Sequence, residues 1–376
     1  MKLTVQVKLL PSPGQDSDLR KTLEIANGAA NRLSQLAWKS KEFRRFPLHK
    51  TFYRQIRDEF PLSAQVVCLL NAKVAYAYKI HKGGQRIFRK HGSISYDSRI
   101  LNFDLLKSSV SIWAIKGRAK IPFACGENQR KLLELPRGES DLILRDGKWF
   151  LNVTVDVPDE REYEATGWLG CDLGIVNILT DSDGANYSGS HLNGLRHRHS
   201  RLRAKLQSKG TKSAKRLLAK RKRKESRHAR NVNHIISKQV VEKAKGTGRG
   251  IALEELGGIR DRITARKAKR RQLHSWAFAD LRTKICYKAQ RAGVPVCLVD
   301  PRNTSRKCPA CSHTEKSNRR TRDQFECKSC GFSGPADAIA SENIRAAAIN
   351  QPIVGTQCKH LGEDSSDKPR ALARGS

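Results

Sequence analysis

The sequence predicts a multidomain α+β chain: a small β-barrel carrying an inserted helical unit, followed by an α/β domain carrying an inserted four-cysteine zinc ribbon. Three features of its 376 residues predict this. Strand-like alternation at the N-terminus gives way to helical spacing and then returns. Later, short apolar strands end in single acids. Between the last such strand and a final helix stand two Cys-x-x-Cys pairs.

Leu3, Val5, Val7 and Leu9 alternate with polar residues, as in a half-buried strand. Pro11-Ser12-Pro13-Gly14 breaks it. Leu19, Leu23, Ala26, Ala30, Leu33 and Leu36 then recur at helical spacing, with Asp16 or Ser17 as the expected cap. Further helices are expected over 49–59 and after Ser63, so residues 14–82 read as helical. From residue 92 the apolar residues fall in short runs. Leu142 to Val155, two β runs around Asp146-Gly147, predicts a hairpin. The N-terminal strand is expected to join this curled sheet. Residues 159–166 read as a charged linker.

Trp168–Asp172, Asn177–Thr180 and the residues after Gly184 read as three more strands. A basic tract follows: residues 196–230 hold 16 Lys/Arg and one acid, Glu225. Leucines persist through it at helical intervals, which predicts a pair of basic helices rather than a solvated run. Gly250–Leu256 and Pro295–Asp300 read as buried strands, with a basic stretch at Arg260–Arg271 and an amphipathic helix over 273–292 between them. A last helix runs from Ala336 to Ile349. The polar segment 351–376 is expected to be a disordered tail.

Charge narrows the function. The chain has 73 Lys+Arg against 36 Asp+Glu, a formal net charge of +37. Such a surface attracts polyanions, nucleic acid first. No run approaches the ~18 apolar residues of a membrane span, and the N-terminus lacks a signal-peptide core. Four of the ten cysteines sit at metal-ligand spacing, which points to a reducing compartment, the cytoplasm or nucleoid. Cys308-x2-Cys311-x15-Cys327-x2-Cys330 forms two knuckles that together fill a tetrahedral site with sulfur, suited to structural Zn²⁺.

Asp172, Glu254 and Asp337 form the second pattern. Each alone reads as a strand-end or helix-start acid. Together, an acid on the first strand, one ending a later buried strand and one opening the final helix match the arrangement of RNase H-like nucleases. In-line phosphodiester hydrolysis needs divalent metal on the phosphate, and Mg²⁺ prefers hard oxygen ligands while keeping several waters. Glu254 and Glu255 compete, because neighbours in a strand face opposite ways.

At these residues the chain resembles the TnpB family, transposon-encoded RNA-guided nucleases related to type V CRISPR effectors. Gly170-Cys171-Asp172-Leu173-Gly174 is similar to the first RuvC motif. Ile251-Ala252-Leu253-Glu254-Glu255-Leu256 is similar to the second, in which the family's acid is the first of the pair, Glu254. Trp276 to Lys288 resembles the helix before the zinc element. Asn303-Thr304-Ser305…Cys308…Cys311 and Phe325…Cys327…Cys330 resemble the ribbon. Asp337…Ala340-Ser341…Asn343-Ile344 resembles the third motif. Ile339, Ser341, Ser312 and Cys171 depart from the family's usual Asn, Ala, Gly and Ile.

The resemblance implies a wedge barrel (1–13 and 92–165), a helical recognition unit (14–91), a RuvC-like domain (166–303 and 334–350) and a zinc ribbon (304–333). It implies a guide RNA from the same element, a double-stranded DNA target cut beside a short motif, and Asp172, Glu254 and Asp337 as Mg²⁺ ligands. The alternatives are a minimal type V CRISPR effector, a nuclease-weak RNA-guided regulator and a conventional transposase.

Overall fold

A computed structural model describes residues 1–81, 83–221, 224–256 and 278–350. The basic stretch Arg260–Arg271, Trp276 and the tail 351–376 lie outside the described residues. The chain forms two compact units, Met1–Pro158 and a second from Asp159 onward.

The first unit is one antiparallel sheet with helices inserted after its first strand. Its strands are β1 (Lys2–Leu9), β2 (Ile94–Tyr96), β3 (Leu101–Asp104), β4 (Ser109–Ala114), β5 (Gly117–Ala124), β6 (Arg137–Arg145) and β7 (Lys148–Asp156). They lie in the order β2-β6-β7-β1-β5-β4-β3. The two edge strands are consecutive in the chain, so the sheet curls until it nearly closes. Across the seam, Tyr96 Oη of β2 donates to Trp113 O of β4 at 3.1 Å. Asp146 and Gly147 both take positive φ (52° and 72°), the geometry that an Asp-Gly hairpin turn requires.

Helices α1 (Pro13–Ser40), α2 (Arg45–Glu59) and α3 (Ala64–Ile80) follow β1, and α4 (Glu127–Leu133) follows β5. Helix α1 starts earlier than the expected cap at Asp16 or Ser17. Ser12 and Gln15 form a capping box, with Pro13 at the first helical position. Asp16 instead accepts from Arg20 and from Trp149 Nε1 of β7, the latter at 2.7 Å. Leu19, Ala26 and Leu33 of α1 and Val67 and Val74 of α3 join Val5, Ile112 and Val153 of the sheet in one hydrophobic core.

The second unit holds a five-stranded mixed sheet: β8 (Trp168–Asp172), β9 (Asn177–Asp181), β10 (Asn186–Ser188), β11 (Gly250–Glu254) and β12 (Val296–Val299), in the order β10-β9-β8-β11-β12. β8, β11 and β12 are parallel. The basic tract forms three helices rather than the expected pair: α5 (Ser190–Lys209), α6 (Lys212–Arg221) and α7 (Lys224–Gly246). Helix α8 (Phe278–Ala292) precedes β12. The short strands β13 (Gln324–Glu326) and β14 (Ser333–Pro335) lead into α9 (Ala336–Asn350). The stretch read as a linker packs on this unit: Tyr163 N–H donates to Gly293 O and its Oη to Arg249 O.

The sheet is covered on both faces. Leu169, Cys171, Ile251 and Leu253 share a core with Val240 of α7 and with Leu281 and Ile285 of α8. Ala252, Cys297 and Val299 face Ile344 and Ala348 of α9. A Cβ at Gly170 would lie 2.0 Å from Ser341 O and 2.7 Å from Arg345 N, so glycine alone lets α9 rest on β8.

Gly170→Ala should therefore force α9 off the sheet and destabilise the protein by about 1–3 kcal/mol. Gly194→Ala, where the added methyl meets open space, is the control. Thermal unfolding of both variants measures this, with only the first expected to fall.

Candidate functional site

The face of the sheet under α9 carries the site. Side chains alternate along a strand, so Asp172 shares the face of Gly170 and Glu254 that of Ala252. Gly170 stands opposite Ala252 in the parallel pair, and each acid lies two residues further on. Asp337 sits in the first turn of α9, which packs on the same face. The three sequence-selected acids are thus brought together. Glu255 points away, bound to Arg282 Nη1 at 2.5 Å. Core packing resolves the Glu254–Glu255 ambiguity: Ile251 and Leu253 belong to the α7/α8 side, Ala252 to the α9 side.

The acids register on one another. Burial, then the charges of Glu254 and Asp337, push the Asp172 carboxyl up to about 7, while Arg319 pulls it down. Burial also raises Glu254, against a hydrogen bond from Thr304 that lowers it. Asn177 Nδ2 donates to Asp337 Oδ2 at 3.1 Å, and Arg319 Nη2 lies 3.5 Å from Asp337 Oδ1. Thr304 Oγ1 donates to Glu254 Oε1 at 2.5 Å. Buried carboxyls with ionisation this suppressed are a hard-oxygen set suited to a divalent cation, which would remove the repulsion.

Three of these contacts escape sequence reasoning. Asn177 opens the strand returning from Asp172, a position whose only signal is its short polar side chain. Thr304 lies inside a quoted motif without a role of its own. Arg319 has no local signal; folding of the ribbon delivers it.

The four cysteines also converge, with their sulfurs all within 4.8 Å of one another. Cys308 and Cys330 sulfurs are 3.6 Å apart, Cys311 and Cys327 3.5 Å. A tetrahedron with metal–sulfur bonds of about 2.3 Å has edges of about 3.8 Å, so the cluster is near the size of a metal–sulfur site. The knuckles repeat each other. Cys308 N–H donates to His313 O and accepts at its carbonyl from Ser312 N–H; Cys327 does the same with Phe332 and Gly331. Gly331 and Ser312 occupy the matching left-handed position, at φ 74° and 61°. Burial pushes the Cys327 thiol up, but the N–H groups of Cys330 and Ser329, together with hydrogen bonds to the Cys311 and Cys330 side chains, outweigh it and hold it at about 6. The Phe332 N–H favours the Cys330 thiolate, yet neighbouring sulfurs push that thiol up to about 12. A bound cation would relieve that competition.

Residues 278–344 match the family model described as "Cas12f1-like, TNB domain". The CRISPR-associated endodeoxyribonuclease Cas12f1 of Sulfoacidibacillus thermotolerans is 26% identical, over 89% of this chain and 93% of the relative. A TnpB-like protein of Methanocaldococcus jannaschii is 31% identical over 38% of this chain and 51% of its own. The putative RNA-guided DNA endonuclease InsQ of Escherichia coli is 26% identical over 54% of each. Together these matches support a TnpB-like, type V effector family for the chain. A Cas12f1 chain solved by cryo-EM with sgRNA and target DNA has the same fold, with a TM-score of 0.62, 16% identity, and coverage of 87% of this chain and 81% of that one. In this chain the four cysteines lie between β12 and α9, inside the matched residues 278–344.

The suppressed ionisation of Asp172 has a stability consequence. Its folded pKa of about 7 lies above the ordinary aspartate value of 3.8. The folded state thus holds a proton that the unfolded state releases, and stability falls as pH rises from about 4 to 7. In divalent-free buffer, Asp172→Asn should be more stable than wild type at pH 8, by up to about 4 kcal/mol at about 1.4 kcal/mol per pH unit. The gain should vanish near pH 4. Denaturant melts at both pH values measure it.

Proposed function

We propose that the chain is a transposon-associated RNA-guided DNA endonuclease whose cutting centre is Asp172, Glu254 and Asp337. One observation carries the reading: three acids from two strands and a helix share one sheet face and crowd one buried carboxyl. Mg²⁺ held there would activate a water and stabilise the leaving oxygen. The chain's own residues orient the centre. Asn177 holds Asp337 and Thr304 holds Glu254. Arg319, beside Asp337, places a guanidinium where a scissile phosphate would approach. The four cysteines would hold Zn²⁺, a closed site with no open position for chemistry.

In this reading the five-stranded sheet with its helices is the RuvC-like, RNase H-like domain. The nearly closed sheet is the wedge and α1–α3 the recognition unit. A guide RNA from the same element would read the target by base pairing, and the protein would hold the heteroduplex through shape and charge. The basic faces of α5–α7 suit a phosphate backbone. The wedge and its helices would read a short motif in the duplex beside the target.

A minimal CRISPR effector is the second reading, favoured by the match along nearly the whole length of a CRISPR-associated relative. A repeat array beside the gene would select it; transposon ends would select the first.

The test begins with protein purified from cells carrying its native flanking DNA, and with the RNA that accompanies it. One discrete transcript with a variable end is expected; heterogeneous RNA stripped by salt would overturn RNA guidance. With that guide, Asp172→Ala and Glu254→Gln should lower Mg²⁺-dependent cleavage by about 10³-fold or more, roughly 4 kcal/mol of barrier. RNA binding should persist, and Glu255→Gln should still cut. Wild-type cleavage by Asp172→Ala would sink the assignment. Elemental analysis should find stoichiometric zinc that Cys311→Ser loses.

A further inference from the structure

We propose that Thr304 is a positioning residue for Glu254, itself set by Asn343, so that α9 fixes two of the three carboxylates at once. The inference rests on the reading of the three acids as a divalent-metal site.

Thr304 is buried, 8% exposed, and its single hydroxyl proton has two acceptors in reach. Glu254 Oε1 lies at 2.5 Å and Pro301 O at 3.2 Å. The shorter bond, to a carboxylate, takes the proton. That leaves Oε2 of Glu254 as the oxygen to offer a cation.

Thr304 is held in turn. Asn343 of α9, 7% exposed, donates through Nδ2 to Thr304 O and to Lys307 O, both at 2.8 Å. Both amide hydrogens are therefore spent on one loop. Asn303 turns that loop at φ 64°, and its carbonyl accepts from the N–H groups of Arg306 and Lys307 at 2.9 Å. Lys307 is followed by the first ligand-type cysteine, Cys308. Helix α9 thus carries Asp337 on its first turn and reaches Glu254 through Asn343 and Thr304. The relay holds a flexible glutamate in one rotamer before any cation arrives, and partners of metal ligands typically set affinity in this way.

A packing role and a positioning role predict different things. Thr304→Val keeps the shape and removes the hydroxyl; Thr304→Ser keeps the hydroxyl. The probe is Mn²⁺, titrated into the full chain freed of nucleic acid, with unbound Mn²⁺ read by electron paramagnetic resonance. Asp172→Ala supplies the blank. Thr304→Val should bind Mn²⁺ about 10–100-fold more weakly, and Thr304→Ser should bind as wild type does. Should Thr304→Val not fold, Asn343→Ala carries the test: it leaves the hydroxyl in place, frees the loop and should also weaken Mn²⁺. Wild-type affinity in Thr304→Val, or in Asn343→Ala if that variant carries the test, would overturn the proposal. So would equal losses in the Val and Ser variants, since packing would then be the cause. Wild-type protein binding no more Mn²⁺ than the blank would overturn the reading of the acids, and the relay with it.

Discussion

The contact between α9 and the bare backbone at Gly170 governs the second unit. A helix usually rides on a sheet at a distance set by side chains on both. Here one side chain is missing, and a Cβ would meet Ser341 O at 2.0 Å. The neighbouring strand contributes Ala252 at the paired position, so the floor beneath α9 is low across two strands. A helix lying this close carries its first turn down to the level of the strand ends. There Asp337 comes near enough to Asp172 to raise its carboxyl, as Glu254 does from the neighbouring strand. A larger residue at 170 would lift the helix and separate the acids, whatever their identity.

Charge separates two kinds of buried acid within the same unit. Asp181 is fully buried, but Lys243 Nζ lies 2.6 Å from it and the N–H groups of Asp183 and Ala185 fill its other lone pairs. Asp183 is held below the usual carboxylate range, first by its hydrogen bond to Arg249. Both acids are neutralised where they stand, and their burial needs no further explanation. Among the described residues, no ion pair reaches Asp172 or Glu254, and both carboxyls are pushed up instead. In a chain of net charge +37, a cation could have been placed beside them. Arg319 lowers Asp172 but does not outweigh burial and the neighbouring acids, so the pair keeps a deficit of positive charge that a divalent ion would fill.

Local chemistry made much of this legible. The Asp146-Gly147 turn, the strand alternation and the cysteine spacing depend on near neighbours, and sequence carries such information directly. Asp172 and Asp337 stand out because each adjoins a glycine turn or a helix start. The choice between Glu254 and Glu255 is different. Both faces of β11 are buried, so alternation alone marks no inside or outside. Only the packing of Ala252 on α9, and of Ile251 and Leu253 on α7 and α8, assigns the faces. Asn177, Thr304, Arg319 and Asn343 act across 18 to 160 positions of sequence, and no local pattern encodes such partners. The cap of α1 was misplaced because Pro11-Ser12-Pro13 reads as a breaker, although proline at the first helical position starts a helix equally well.

Ile339 shows how the ribbon and the acid centre share one element. An asparagine at this position would present a polar side chain beside the third acid. Ile339 instead packs with Cys308, Phe325, Cys327 and Ala336 in the small core of the ribbon. Helix α9 is therefore held at two places: the sheet meets its middle at Ser341 and Arg345 through Gly170, and the ribbon core holds its first turn through Ala336 and Ile339. That core contains two of the four sulfurs and is too small to persist by apolar burial alone. Its integrity depends on whatever satisfies the sulfurs. A metal in the cysteine site would thus stabilise more than the ribbon. It would steady the acids too, at Asp337 through Ile339 and Ala336, and at Glu254 through the loop that ends in Cys308.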